Sequence, residues 1–157
     1  NMPPVRIVVS SPQLKSIELS GSGDVDIKDS VALGDLSLLL SGSGDIDIEY
    51  LDCSSVKAVV SGSGDIKIDH VECEGDAVCD LTGSGDINVD VVSDNVNVTV
   101  SGSGDADLTV DCDVINAKAT GTGNMKLVGT AKVLNKHSSG LASIDTKKLE
   151  VEQINLK

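Results

Sequence analysis

The chain has 157 residues and a formal net charge of −13, from 25 Asp and Glu against 12 Lys and Arg; it has no Trp or Phe and one Tyr, although 39% of its residues are hydrophobic. So few rings exclude a sugar-stacking cleft or a base-stacking nucleic-acid surface, and the charge opposes binding to phosphate or anionic lipid. The length suits one domain over residues 1–157, with a core of Val, Ile, Leu, Ala and Cys; with no run of about 18 apolar residues and no basic segment leading into an apolar one, neither a membrane span nor a signal peptide is expected in it.

Residues 5–9 read as a strand of a first, irregular coil within the stretch 1–13. Ile17 and Leu19 then lead into the word Ser20-Gly21-Ser22-Gly23-Asp24. The word recurs at 41–45, 61–65, 82–86 and 101–105, and at 120–124 as Thr120-Gly121-Thr122-Gly123-Asn124; successive copies are 21, 20, 21, 19 and 19 residues apart. After each word the apolar pairs are Val25/Ile27, Ile46/Ile48, Ile66/Ile68, Ile87/Val89, Ala106/Leu108 and Met125/Leu127. Before the later words they are Leu38/Leu40, Ala58/Val60, Cys79/Leu81, Val98/Val100 and Ala117/Ala119. Period two is the strand signature, and no segment carries the spacing of a surface helix. Beyond residue 130 the pattern loosens. Residues 131–134, 144 and 149–154 read as strands, Ser138-Ser139-Gly140 stands where a seventh word is due, and 131–157 reads as atypical terminal coils, as caps of a solenoid are.

A unit of about 20 residues with two short strands cannot bury its own apolar face, so units must stack. The unit is too short for a propeller blade and lacks a leucine-rich consensus. The expected fold is an all-β, right-handed parallel β-helix of about seven coils of 19–21 residues, roughly 34 Å long at the ~4.8 Å strand spacing. The interior is one coil thick, which explains the missing rings: aliphatic side chains stack in ladders where an aromatic would overfill the space.

Stacking puts Asp24, Asp45, Asp65, Asp86, Asp105 and Asn124 in one column. Carboxylates this close repel by about 1 kcal/mol per neighbouring pair in water, so something must offset the repulsion. The local answer is hydrogen bonding from backbone N–H groups or hydroxyls of the Ser-Gly-Ser-Gly corner, with the glycines supplying positive φ and Ser22, Ser43, Ser63, Ser84, Ser103 and Thr122 forming a hydroxyl ladder. The functional alternative is a calcium ladder on Asp24, Asp45, Asp65, Asp86 and Asp105, since hard cations gather oxygen ligands; otherwise no cofactor is expected. A second outward column, Asp26, Asp47, Lys67, Asn88, Asp107 and Lys126, reads as a solvated face with cross-strand pairs.

A glycosidase-like carboxylate pair can be drawn from Asp45 and Asp47, but the same pair recurs at Asp24/Asp26 and Asp105/Asp107, and repetition argues against catalysis. Cys53 and Cys73 stack in adjacent coils at one corner, with Cys112 near the same corner two coils on, while Cys79 takes an inward strand position. These are buried thiols, or Cys53 and Cys73 form a disulfide. Two His and no Cys-x-x-Cys argue against zinc. Tyr50 and His70 fall at equivalent positions of adjacent coils.

The repeated Ser-Gly-Ser-Gly-Asp-Ile-x-Ile word resembles the bacterial auto-transporter adhesin head domain, also called the GIN domain, over roughly residues 14–144. The resemblance implies a right-handed β-helix in secreted or envelope-anchored proteins, hence an extracellular, cell-surface or periplasmic location, and supplies no catalytic residues. The expectation is a noncatalytic adhesin-like or structural binding module with a glycan or protein as surface ligand, no nucleic acid, and homo-oligomers through coil ends or edges. The alternatives are a polysaccharide-active enzyme on a β-helix and a calcium-binding repeat module.

Overall fold

The alternating segments on either side of each word become strands. The computed structural model describes residues 15–32 and 34–156; the strand expected at 5–9 lies outside them. The strands are β1 (Ser16–Leu19), β2 (Val25–Ala32), β3 (Asp35–Leu40), β4 (Ile46–Cys53), β5 (Ser55–Val60), β6 (Ile66–Cys73), β7 (Asp76–Leu81), β8 (Ile87–Val100), β9 (Ala106–Ala119), β10 (Asn124–Ser138) and β11 (Ser143–Leu156). Each coil has a leading arm after its word and a trailing arm before the next. Leading arms pair with leading arms and trailing with trailing, always parallel. The eleven strands thus form one sheet wound into a β-solenoid of about seven turns. No helix occurs among the described residues, hence none long and apolar enough to cross a membrane.

In the coil of β4 and β5 the buried runs are Ile46/Ile48, Leu51/Cys53 and Val56/Ala58/Val60, so the coil turns inward three times. The bends fall where two neighbouring side chains face away from the core, as at Glu49-Tyr50 and Ser54-Ser55. Coil length changes only at bends. Gly75 is the extra residue of its coil. The register shift between Ile68 and Val71 marks where Asp69 and His70 give way to Asp90 alone. From that point the coils are 19 residues long until a register shift between Lys126 and Val128 makes the last step 20, and the two arms fuse into continuous strands of 14 or 15 residues.

The core is a set of aliphatic ladders. Ile46, Ile66, Ile87, Ala106 and Met125 form one; Leu38, Ala58, Cys79, Val98 and Ala117 form another, and all are buried. Burying each Val, Leu or Ile contributes about 1.5–3 kcal/mol, and the neighbouring coil supplies the cover. In some arms a small residue neighbours a larger one, as Ala106 does Leu108 and Ala58 does Val60.

The seventh word sits one residue from its sequence assignment. The Ser139 N–H donates to the Ala119 carbonyl as Thr120 does to Val100, and Ser143 pairs with Asn124. The corner is therefore Ser139-Gly140-Leu141-Ala142-Ser143, with Ser143 at the Asp position. Residues 131–134 belong to the continuous β10.

Candidate functional site

The word glycines correct the expectation of positive φ. Among the described residues only Gly129 and Gly140 have it, at 117° and 76°. The word glycines from Gly42 to Gly123 are required by the coil before, whereas a Cβ at Gly21 or Gly23 would meet nothing. A Cβ at Gly44 would overlap the Gly23 carbonyl oxygen, and one at Gly64 the Gly44 carbonyl oxygen; the same clash recurs at Gly85, Gly104 and Gly123, and in the first-glycine column from Gly42 to Gly121. Two adjacent backbones thus approach to a distance only hydrogen can fill.

This close approach positions the Asp column. Asp45 N–H donates to Asp24 Oδ1 at 3.0 Å, Asp65 to Asp45 at 2.9 Å, Asp86 to Asp65 at 2.7 Å, Asp105 to Asp86 at 2.8 Å and Asn124 to Asp105 at 2.7 Å. The donor is the next coil's backbone and not the Asp's own corner. Each carboxylate replaces the backbone carbonyl that the corner turns away, which answers where that N–H finds its partner. A charge-assisted hydrogen bond is worth about 1.5–3 kcal/mol, enough to offset neighbour repulsion of about 1 kcal/mol. At the end of the column Ser143 Oγ donates to Asn124 Oδ1 at 2.8 Å. In the hydroxyl ladder, Thr122 Oγ1 donates to Ser103 Oγ at 3.2 Å. No group of three or more His, Cys, Asp or Glu is gathered as a metal cage among the described residues.

The second outward column is in register from Asp26 through Asp47, Lys67, Asn88 and Asp107 to Lys126. Its ion pairs run along the strands and not across them: Lys28–Asp26 at 3.4 Å and Lys67–Asp69 at 3.2 Å. Tyr50 and His70 meet as expected, stacked with ring centroids 5.2 Å apart. His70 also lies 3.6 Å from Glu72 and 3.9 Å from Asp90, and a hydrogen bond to Glu72 raises the Tyr50 phenol above its ordinary value.

Cys53 and Cys73 are register partners, buried and carrying free thiols, and Ser93 and Cys112 continue their column. Cys73 Sγ is 3.3 Å from the carbonyls of Ser54 and Asp76. Burial, then the adjacent Cys73, pushes Cys53 up to about 12; burial pushes Cys79 up to about 12 and Cys112 to about 11. Protonated thiols are poor nucleophiles and poor metal ligands at neutral pH.

A polar ladder on the trailing arms escaped the sequence reading. Asn116 Nδ2 donates to Asn97 Oδ1 at 2.8 Å, Asn135 to Asn116 at 2.7 Å and Asn155 to Asn135 at 2.8 Å. The signal was Asn recurring at steps of 19, 19 and 20 residues, outside the conspicuous word. Beside it runs the column Thr99, Lys118, His137. Together with Lys136 these residues line a groove of about 460 Å³. Lys136 continues the inward column of Val98 and Ala117, where an apolar residue is the rule, and its ammonium donates to the Ile144 carbonyl at 2.7 Å. A smaller hollow of about 370 Å³ lies on its other side, toward Ser143 and Lys147.

Compared with known proteins, the chain matches the family model described as "Putative auto-transporter adhesin, head GIN domain" twice, over residues 1–89 and 71–157. The two matches overlap by about one coil, as expected where every coil resembles the next. Neither the curated proteins nor the solved structures yield a match.

Proposed function

Because the chain belongs to the auto-transporter adhesin head GIN-domain family, we propose that it is a noncatalytic, rigid binding module of an exported or cell-surface protein, engaging a surface ligand through the trailing face of its last four coils. The family description implies a place at or outside the cell surface. The observation that carries the reading is the groove along the asparagine ladder. Its lining includes no carboxylate to act as acid or base, yet offers repeated amides and the exposed Lys118. The leading face, by contrast, repeats the same acidic corner coil after coil and uses its Asp Oδ1 atoms to hold the stack together.

A binding screen of the purified chain against glycans and matrix proteins tests this. Binding that is lost on substitution of Asn116 and kept on substitution of Lys67 is the expected result. Hydrolysis or elimination of a polysaccharide in the same screen would show an enzyme instead.

A further inference from the structure

We infer that the trailing-face groove takes an acidic carbohydrate, a glycan bearing carboxylate or sulfate groups, with its hydroxyls on the asparagine ladder and its acidic group on Lys118. The inference rests on the surface-binding reading above and adds the ligand class to it.

Charge is the first argument. The chain carries 25 acidic residues, yet the four trailing segments 95–100, 114–119, 133–138 and 153–156 contain no Asp or Glu, and they contain Lys118, Lys136 and His137. On the same face of the earlier coils Asp35, Asp76 and Asp80 return. Acidity is therefore absent from the stretch that holds the groove. At physiological ionic strength the field of the leading face is screened within about 8 Å, so the local Lys118 ammonium decides which ligand the groove favours.

Hydrogen-bond capacity is the second argument. A primary amide has two N–H donors and an oxygen with two lone pairs. Within the ladder Asn116 and Asn135 each use one donor and one lone pair. Each rung therefore keeps one donor and one acceptor. Hydroxyl groups, which donate and accept at the same atom, match such an array. Lys136 directs its ammonium away from the groove to the Ile144 carbonyl, so the exposed Lys118 is the ammonium on the groove face.

Spacing favours a glycan over an acidic peptide. Rungs repeat at ~4.8 Å along the solenoid, about the length of one pyranoside ring. An extended peptide presents like side chains every second residue, at ~6.6–6.8 Å, and loses register with the rungs. The near-absence of aromatic residues rules out ring stacking, so recognition runs through the polar edges of the sugar, and a charged substituent adds the affinity that stacking would otherwise supply.

Calorimetric titration of the full chain with a galacturonate oligosaccharide, a heparin-derived oligosaccharide, a neutral malto-oligosaccharide and a poly-glutamate peptide tests the inference. The acidic sugars bind, and neutral sugar and peptide bind at least tenfold more weakly. Lys118→Gln weakens acidic-sugar binding about tenfold, the equivalent of one charged hydrogen bond. Asn116→Ala weakens it severalfold, while Lys67→Gln, which removes a lysine from the leading face, leaves it unchanged. Circular-dichroism melting checks that each variant is folded. Equal binding of the neutral sugar, equal binding of poly-glutamate, or acidic-sugar binding indifferent to both groove variants overturns the inference. Binding of a neutral glycan or a protein alone overturns the ligand class and keeps the surface-binding reading; a blank across the wider glycan and matrix-protein screen removes both.

Discussion

Replacing Gly64 by Ala adds a single methyl group, and the coil beneath determines its cost. The new carbon would overlap the Gly44 carbonyl oxygen and lie 2.8 Å from the Gly44 carbonyl carbon and 3.1 Å from that of Ser43. All three atoms are backbone, so no side chain can rotate away and the two coils must part. Overpacking of this kind costs about 1–3 kcal/mol. Parting also stretches the bonds that clamp the corner: Ser63 N–H to the Gly42 carbonyl at 3.0 Å and Asp65 N–H to Asp45 Oδ1 at 2.9 Å. Losing one or two of them adds about 1 kcal/mol each, for a total of about 2–5 kcal/mol. Because backbone torsion is not the reason for this glycine, alanine brings no torsional strain to confuse the result. Urea unfolding of Gly64→Ala should show that loss, with Ser63→Ala, an exposed neighbour, within about 0.5 kcal/mol of the parent. A Gly64→Ala protein as stable as the parent would refute the steric account of the word.

The Asp column makes a second prediction. Asp65→Asn keeps an acceptor for the Asp86 N–H and relieves repulsion, so it should be neutral or slightly stabilising, while Asp65→Ala orphans that N–H and should cost about 1 kcal/mol in the same unfolding assay. Since each Oδ1 is already engaged, calcium should move the melting temperature only slightly; a rise above about 10 °C, roughly 3–5 kcal/mol for a chain of this size, would favour the calcium ladder. The thiols respond to pH. The folded values of Cys53, Cys79 and Cys112 lie above the ordinary thiol value, so the folded state holds these three protons more tightly than the unfolded chain. Stability is therefore complete below about pH 8 and falls as pH climbs from about 9 toward 12, by at most about 1.4 kcal/mol per unit for each thiol. Cys79→Val should soften that alkaline fall in a pH series of melts. Alkylation after denaturation without reductant should add four labels by mass, whereas two would reveal the Cys53–Cys73 disulfide.

Much of this architecture can be read from the sequence because its signals are local. The alternation of Ile46/Ile48 or Ala58/Val60 shows which side chains point inward, and the spacing of the word sets which residues stack, down to the meeting of Tyr50 with His70. What escaped depends on a neighbouring coil. The reason for Gly64 is a carbonyl about 20 residues away, and the donor to Asp65 is the N–H of Asp86. The last corner was misplaced because Leu141-Ala142-Ser143 shares no residue with the word and only Ser139-Gly140 remains to mark it. The asparagine ladder went unnoticed because its members lie mid-strand at outward positions, where any polar residue satisfies the alternation. Only the paired register turns four separate asparagines into one surface.

The coil-to-coil pairing also has a mechanical meaning. In a parallel solenoid the backbone hydrogen bonds lie along the long axis, so tension applied between its two ends loads them one coil at a time and not all at once in shear. Each coil contacts only its neighbours, and a terminal coil can peel away while the rest stays wound. Every release frees 19–21 residues, or roughly 60–75 Å of extended chain. A surface protein built this way would yield in regular increments under flow, absorbing work at each step, and would rewind by the same template once the load falls.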